Sequence, residues 1–190
     1  GSNHLDVSNL LLPYWIMNGE ELEELLIETG ENQAYNQSNL LRRIVTRNKQ
    51  KHSGKKQVLF DSPVKFSLLE VLNCIVNLSR ETRDYKKPTE HKIKDAPIEF
   101  MSDEAKFDHY FDQEFEFDEP KSQNVSKGTY NDGSLDKFIS RIRWKLADER
   151  LAFLLGLNAE QQSFEQTIRQ ILGYRTNEEA NITVIDLSGI

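Results

Sequence analysis

Basic side chains are concentrated in one short stretch of the chain, residues 42–56. They are Arg42, Arg43, Arg47, Lys49, Lys51, Lys55 and Lys56. Guanidinium and ammonium groups gathered in this way can contact the phosphates of nucleic acid electrostatically, without reading the base sequence. The alternative is a solvated helix end, because cations near a helix C-terminus interact favourably with the helix dipole. Both interpretations place the tract at the surface.

A second charged stretch, residues 103–119, is acidic and rich in aromatic residues. Its carboxylates could bind a metal ion, but the alternating aspartate spacing of a calcium loop is absent. The phenylalanines between them indicate either docking onto a basic partner or internal packing of a small insertion. The four histidines have no metal-ligand spacing with Cys74, which lies on an apolar helix and is predicted to be a core residue. We therefore expect no metal site.

Length and composition favour a globular chain of about one domain. The net charge of −7 over 190 residues argues against a surface that binds nucleic acid throughout, although it allows a local basic patch. A single cysteine cannot form an internal disulfide, which fits a reducing compartment. No apolar run is long enough to span a bilayer, and no signal-peptide pattern opens the sequence. The predicted location is the cytoplasm.

The hydrophobic pattern predicts an α/β chain dominated by helices. Helices are expected near residues 19–29, 33–50, 67–84, 134–147 and 159–172, and strands near 10–17 and 182–187. Asn18 with Glu21 has the spacing of a capping box, Gly30 is expected to end that helix, and Ser134 is expected to cap the fourth helix. Residues 85–133 have no long periodic pattern, which indicates either an insertion with short strands or a flexible acidic loop.

The last residues are typical of a buried strand that runs into a turn. Ile182, Val184 and Ile185 are β-branched and apolar, and Ser188 with Gly189 would begin the loop. If both predicted strands belong to one sheet, we expect them to be parallel and covered by helices. Residues 1–2, Gly-Ser, are typical of an expression scar. The chain is therefore expected to be a piece of a larger α/β protein.

Three segments, in this order, resemble the HerA-like DNA translocases of the HerA/FtsK branch of P-loop ATPases. The first, residues 12–22, joins an apolar Pro-Tyr-Trp stretch to a glutamate-rich helix start. The second, residues 138–154, starts with Phe-x-x-Arg and ends with Asp-x-Arg-x-x-Phe-Leu. The third, residues 182–189, is similar to the core strand that precedes the Walker B strand. The resemblance covers most of the chain except about residues 85–130.

The resemblance implies how the chain is divided and which parts lie elsewhere. Residues 3–30 and 174–190 would be pieces of a RecA-like core, and 31–173 a mostly helical insertion with the flexible acidic loop at about 85–133. The Walker A loop, which cradles phosphates and helps hold magnesium, has no counterpart here, and the Walker B acids would follow the last segment. ATP and Mg²⁺ are therefore expected for the parent protein, with no cofactor in this piece.

The resemblance also implies a function for the parent protein. It would be a hexameric, ATP-dependent translocase or helicase on double-stranded DNA, working with a nuclease or another effector in DNA repair or phage defence. Arg42, Arg43, Arg47, Lys49 and Lys51 would then touch DNA phosphates in the channel of the ring.

Three arginines are the candidate catalytic helpers. Since ring ATPases direct arginines at a neighbour's phosphates, Arg141, Arg143 and Arg150 would stabilise developing charge. The alternative for Arg143 is surface pairing with Asp148 or Glu149. A different class of function also remains open, a non-enzymatic helical interaction module that binds through the acidic aromatic stretch.

Overall fold

A computed structural model of the chain describes residues 2–28, 30, 32–120, 124–174 and 182–188. The helices are α1 (Gly19–Leu26), α2 (Ala34–Ser53), α3 (Leu68–Arg80), α4 (Asp103–Tyr110), α5 (Asp136–Ala147), α6 (Ala152–Leu155), α7 (Leu157–Gln161) and α8 (Phe164–Ile171). The strands are β1 (Ser2–Asp6), β2 (Thr82–Asp84), β3 (Glu90–His91), β4 (Ile98–Glu99), β5 (Val125–Lys127) and β6 (Ile182–Asp186). Single 3₁₀ turns occupy Tyr14–Ile16 and Glu149–Leu151. Gly1 and Gly189 lie outside the described residues.

The helical core forms around α3, which packs against α2, α4 and α5. Its apolar stripe is completely buried at Val71 and Ile75, and it meets Ile44 of α2 and Phe138 of α5 in the same cluster. Cys74 lies in this core, as predicted, and burial raises the pKa of its thiol. A helix with apolar residues every three to four positions has one face to bury, and here the neighbouring helices cover it.

Two sheets accompany the helices. β1 and β6 form a parallel pair in which Ser2 is opposite Ile182 and Asp6 is opposite Asp186. The second sheet is antiparallel, with the strand order β4-β3-β2-β5. The predicted class, an α/β chain dominated by helices, is confirmed.

The expected strand at residues 10–17 is wrong. The strand that pairs with the C-terminal one is β1, and Tyr14–Ile16 is a 3₁₀ turn after Pro13. Tertiary contacts decide this: the buried Tyr14 hydroxyl donates to the carbonyl of Phe66 at 2.9 Å, and the Trp15 indole donates to the carbonyl of Glu160 at 3.2 Å. This apolar run, which includes a proline, therefore forms a turn, because the side chains of both aromatic residues hydrogen-bond to distant parts of the chain.

The expectation of a buried C-terminal strand is also wrong, and its parallel partner is β1 rather than the strand expected at residues 10–17. Ile182 and Ile185 of β6 are 62% and 45% exposed in this chain. The apolar, β-branched pattern set the strand conformation, whereas burial depends on whether other elements cover the sheet.

The helix start predicted from the sequence is correct where a specific capping pair marks it. Asn18 and Glu21 form the expected capping box at α1. Other ends differ: α1 ends at Leu26 rather than near Gly30, and Leu135 instead of Ser134 occupies the N-cap position of α5. The helix expected at 159–172 is two helices, α7 and α8, and Ser163 makes its own capping box with Gln166 at the start of α8.

The segment without a periodic pattern contains β3, β4, α4 and β5. Its aromatic residues pack internally, since Phe107, Tyr110 and Phe111 are at most 4% exposed. The buried amide of Asn77 in α3 donates to the carbonyls of Tyr110 and Gln113 and accepts from the N–H of Phe115. Of the two interpretations of the phenylalanines, internal packing of an insertion is the one observed.

Candidate nucleic-acid interface

The candidate interface is the basic face of α2, a helix of 20 residues that ends at Gly54 in the left-handed conformation, φ 67°. Arg43, Arg47 and Lys51 are four residues apart, so they project from the same side of the helix. Arg42 lies beside this row. The side chains are between 28% and 52% exposed, so solvent reaches each of the four cations.

Each of these four cations is paired with a carboxylate from another part of the chain. Arg42 forms a two-pronged pair with Glu23 of α1, with Nε–Oε1 at 2.6 Å and Nη2–Oε2 at 2.8 Å. The other three partners belong to α4 and the residues just after it. Arg43 pairs with Asp103, Arg47 with Asp108, and Lys51 with Asp112.

The pairing has an electrostatic consequence. Four cations face four carboxylates, so the face carries little net charge although it is rich in charged groups. The hydrogen bond from Arg42 is the main cause of the lowered pKa of Glu23, and the hydrogen bond to Asp108 raises the pKa of Arg47. Exposed ion pairs contribute little net stability, so competing phosphates could replace these carboxylates at small cost.

A groove lies open between the two elements that carry the charges. Arg43, Thr46 and Arg47 line it on the α2 side, and Asp103, Glu104 and Phe107 line it on the α4 side. Arginine guanidinium groups therefore face the groove next to carboxylates. An anionic strand could enter the groove by replacing these carboxylates as the partners of the arginines.

Lys49 does not belong to this face. Its side chain is buried, 1% exposed, and its ammonium group donates to the carbonyl of Ser62 at 2.7 Å and to the carbonyl of Phe60. Burial lowers the pKa of Lys49 to about 8, and the charge of Asp61 partly opposes that shift. The surface position expected for this lysine is therefore wrong: it points to the opposite side of α2 and ties the following loop to the helix.

The three candidate catalytic arginines do not meet at one place. Arg141 pairs with Glu28 at 3.1 Å, Arg143 with Glu114 at 2.6 Å, and Arg150 with Asp148 at 2.7 Å. Arg143 thus reaches a carboxylate beyond α4 and not Asp148 or Glu149 beside it. Each of the three arginines is thus paired with a carboxylate of this chain, and the catalytic role stays a prediction.

The structure also contains a buried ionic cluster for which the sequence carries no periodic or motif signal. At its centre is Glu81, 1% exposed, just after α3. One carboxylate oxygen accepts from the Tyr110 hydroxyl at 3.1 Å and lies 3.1 Å from Nδ1 of His91 and 3.6 Å from the Lys106 ammonium. The other oxygen accepts from Nε of Arg83 at 2.6 Å.

Opposing effects act on the pKa of Glu81. Burial would raise it, but the hydrogen bond with His91 and the charges of Lys106, His91 and Arg83 outweigh burial and lower the pKa to about 2. The carboxylate therefore stays ionised and joins α3, β2, β3 and α4. Gly128 closes over it, since a Cβ there would lie 2.6 Å from the carboxylate oxygen.

The described residues do not fit Mg²⁺-ATP. Gly54, Gly133 and Gly173 have positive φ, but none begins a helix followed by lysine and serine or threonine. Gly19 and Gly156 are packed against Phe60 and the Ala152 carbonyl, so they leave no cradle for phosphate. Among the described residues, no three His, Cys, Asp or Glu side chains gather where they could hold a metal ion.

None of the described helices has the length and apolar character needed to cross a membrane.

The fold is an α/β arrangement that is rich in helix, and it is consistent with part of a P-loop ATPase domain. The family model described as Helicase HerA, central domain, matches residues 1–190. The chain therefore belongs to the family of HerA helicase central domains, and the resemblance found in its sequence is confirmed. This family places it among the HerA/FtsK ATPases. No curated protein matches the chain.

Proposed function

We propose that this chain is part of a HerA-like motor that uses ATP hydrolysis to move along double-stranded DNA. The observation that carries the proposal is the match of the HerA central-domain model over the whole chain. ATP and Mg²⁺ would bind to the parent protein outside the residues that the structure describes, because those residues do not fit them. The assembly would be a hexameric ring in the cytoplasm, with a nuclease or another effector protein as partner.

The DNA contact in this proposal is the basic face of α2. Arg42, Arg43, Arg47 and Lys51 are at least partly exposed and lie on neighbouring positions of one helix. Contacts of this kind are independent of base sequence, as a motor that passes over any DNA requires. The carboxylates now paired with these cations would be replaced by phosphates when DNA binds. Lys49, which is buried, is not part of the proposed contact.

The proposal also includes a role at the nucleotide for arginines 141, 143 and 150, with less support than the role of α2. Arg143 and Arg150 are 45% and 61% exposed at the side chain, so they could face a neighbouring subunit's nucleotide in a ring. Arg141 is only 16% exposed and pairs with Glu28, so it is the weakest of the three candidates.

Displacement of a triplex-forming strand tests the proposed function in the full-length protein. A motor that moves along duplex DNA removes the third strand only when ATP is hydrolysed. We expect displacement with ATP and none with a non-hydrolysable analogue. If the protein hydrolyses ATP with no dependence on duplex DNA and leaves the third strand in place, the translocase function is excluded.

A further inference from the structure

The loop between β2 and β3 presents an aromatic ring beside two lysines at the surface. The Tyr85 side chain is 70% exposed, and Lys86 and Lys87 follow it directly, also exposed. In contrast to the cations of α2, neither lysine ammonium has a carboxylate partner among the residues that the structure describes. This combination of ring and cations was not singled out by the sequence pattern.

Hydrogen bonds from backbone N–H groups brace the loop on both sides. The Asp84 carboxylate accepts from the N–H groups of Lys86 and Lys87 at 2.8 and 3.0 Å, and the Tyr85 N–H donates to the carbonyl of Asn124 at 2.8 Å. The Glu90 N–H then donates to the carbonyl of Lys87 at 2.8 Å and closes the turn. A preorganised loop of this kind loses little conformational freedom when it binds a ligand.

The local charge is opposite to that of the whole chain. Residues 81–92 contain four cations and three carboxylates, a local balance of +1 in a chain of −7. Two of the carboxylates, Asp84 and Glu90, are already paired with Lys92, at 3.0 and 2.6 Å, and Arg83 pairs with Glu81. Of the cations in this stretch, Lys86 and Lys87 are therefore the two without a carboxylate partner among the described residues, and they directly follow Tyr85 in the chain.

Cations next to an exposed aromatic ring are suited to a single nucleic-acid strand. An unpaired base can stack on the ring while the flanking phosphates contact the ammonium groups, whereas a duplex keeps the faces of its bases stacked inside the helix. We propose that the loop formed by Tyr85, Lys86 and Lys87 binds single-stranded DNA. The proposal rests on the proposed DNA function and adds a second contact, for a separated strand, away from α2.

The test is the affinity of the full-length protein for a fluorescent 30-nucleotide oligo(dT) and for a 30-base-pair duplex. We expect Tyr85→Ala to weaken binding of the single strand by about five-fold or more and to leave duplex binding unchanged. Tyr85→Phe keeps the ring and should retain wild-type affinity. Lys86→Ala with Lys87→Ala should reduce the slope of log affinity against log salt by about 1.4 for the single strand.

Matched controls separate the loop from general effects of charge or ring removal. Tyr35→Ala removes an exposed tyrosine, 77% exposed, at the start of α2. Lys137→Ala with Lys145→Ala removes two lysines from α5, with the same change in net charge. If these controls weaken single-strand binding as much as the loop variants do, or if the loop variants bind like wild type, the proposal is overturned.

The outcome also distinguishes this inference from the proposed function. Triplex displacement by a protein whose single-strand binding does not depend on Tyr85 would overturn only the loop proposal. Single-strand binding that depends on Tyr85, in a protein that displaces no third strand, would overturn the translocase function and leave the loop as a binding site.

Discussion

The Arg47 guanidinium forms two parallel hydrogen bonds with the Asp108 carboxylate, Nε–Oδ1 at 2.8 Å and Nη2–Oδ2 at 2.5 Å. This pair joins α2 to α4 at the middle of the candidate interface. The Asp108 carboxylate neutralises the Arg47 cation that would bind a DNA phosphate. α4 therefore competes with DNA for the positive charge of the interface. The balance between these carboxylates and DNA can be measured directly.

Removing the competing carboxylates should strengthen DNA binding. In the full-length protein, Asp103→Asn, Asp108→Asn and Asp112→Asn together leave three cations of α2 without partners. Affinity for duplex DNA is expected to rise about ten-fold at low salt, with a steeper salt dependence, because more phosphates can be neutralised. Fluorescence anisotropy at several salt concentrations measures both quantities.

The matched control for that variant changes the net charge equally at exposed positions away from the α2 face. Asp95→Asn, Asp118→Asn and Glu149→Gln remove three negative charges. An equal gain in affinity from the control would attribute the effect to overall charge, and a loss of affinity in the α4 variant would show that these carboxylates support the interface.

Lys49→Met separates the structural lysine from the surface cations. The substitution leaves the carbonyls of Phe60 and Ser62 without their donor in a buried site. We expect a loss of about 1–3 kcal/mol in the free energy of unfolding, measured by urea denaturation. Lys51→Met, two residues further on the exposed side of the same helix, is the control and should unfold like wild type. Equal stability of both variants would contradict the assignment of Lys49 to the core.

The Glu81 cluster should make the free energy of unfolding depend on pH in the acidic range. The pKa of Glu81 is about 2 in the folded chain against an ordinary 4.5, so its contribution is complete above about pH 4.5 and is lost as pH falls towards 2. The difference corresponds to roughly 3 kcal/mol. In wild type the free energy of unfolding should decrease across that window, and in Glu81→Gln this part of the decrease should disappear.

Glu81→Gln should also be less stable than wild type at neutral pH by about 3–5 kcal/mol, since Lys106 and Arg83 lose their buried counter-charge. Glu116→Gln, which breaks an exposed pair with Lys94, is the control and should have little effect. An unfolding profile of Glu81→Gln that matches wild type between pH 2 and 7 would rule out this role for the cluster.

The isolated 190-residue chain is expected not to bind Mg²⁺-ATP. Triphosphate affinity requires backbone N–H groups converging from a glycine-rich loop, and the described residues have no such cradle. Isothermal calorimetry should give no heat of binding. Micromolar affinity would mean that the nucleotide site lies within this chain.

The sequence predicted those features that depend on neighbours along the chain. The capping box of Asn18 and Glu21, the apolar stripe of α3 and the strand conformation of residues 182–186 are local patterns, and all three are present. The family could also be recognised, because its motifs are contiguous segments.

Features that depend on distant contacts could not be predicted in this way. Tyr14 and Trp15 form a turn because of partners more than 50 and more than 140 residues away. The basic tract was visible in the sequence, but its pairing with Asp103 and Asp108 requires α4 to fold against α2. The same holds for Glu81, whose partners lie on three other elements, β2, β3 and α4, that only the tertiary fold brings together.

The most direct test of the DNA-translocase function, and of the role of α2 in it, is ATP hydrolysis by the full-length protein with and without duplex DNA. The variant is Arg42→Ala, Arg43→Ala and Arg47→Ala combined, which removes the basic face and leaves the core of α2 intact. We expect basal hydrolysis to stay near wild type while stimulation by DNA falls about ten-fold, because only the contact to phosphate is lost. Equal loss of basal and stimulated hydrolysis, or full retention of the stimulation, would contradict this account.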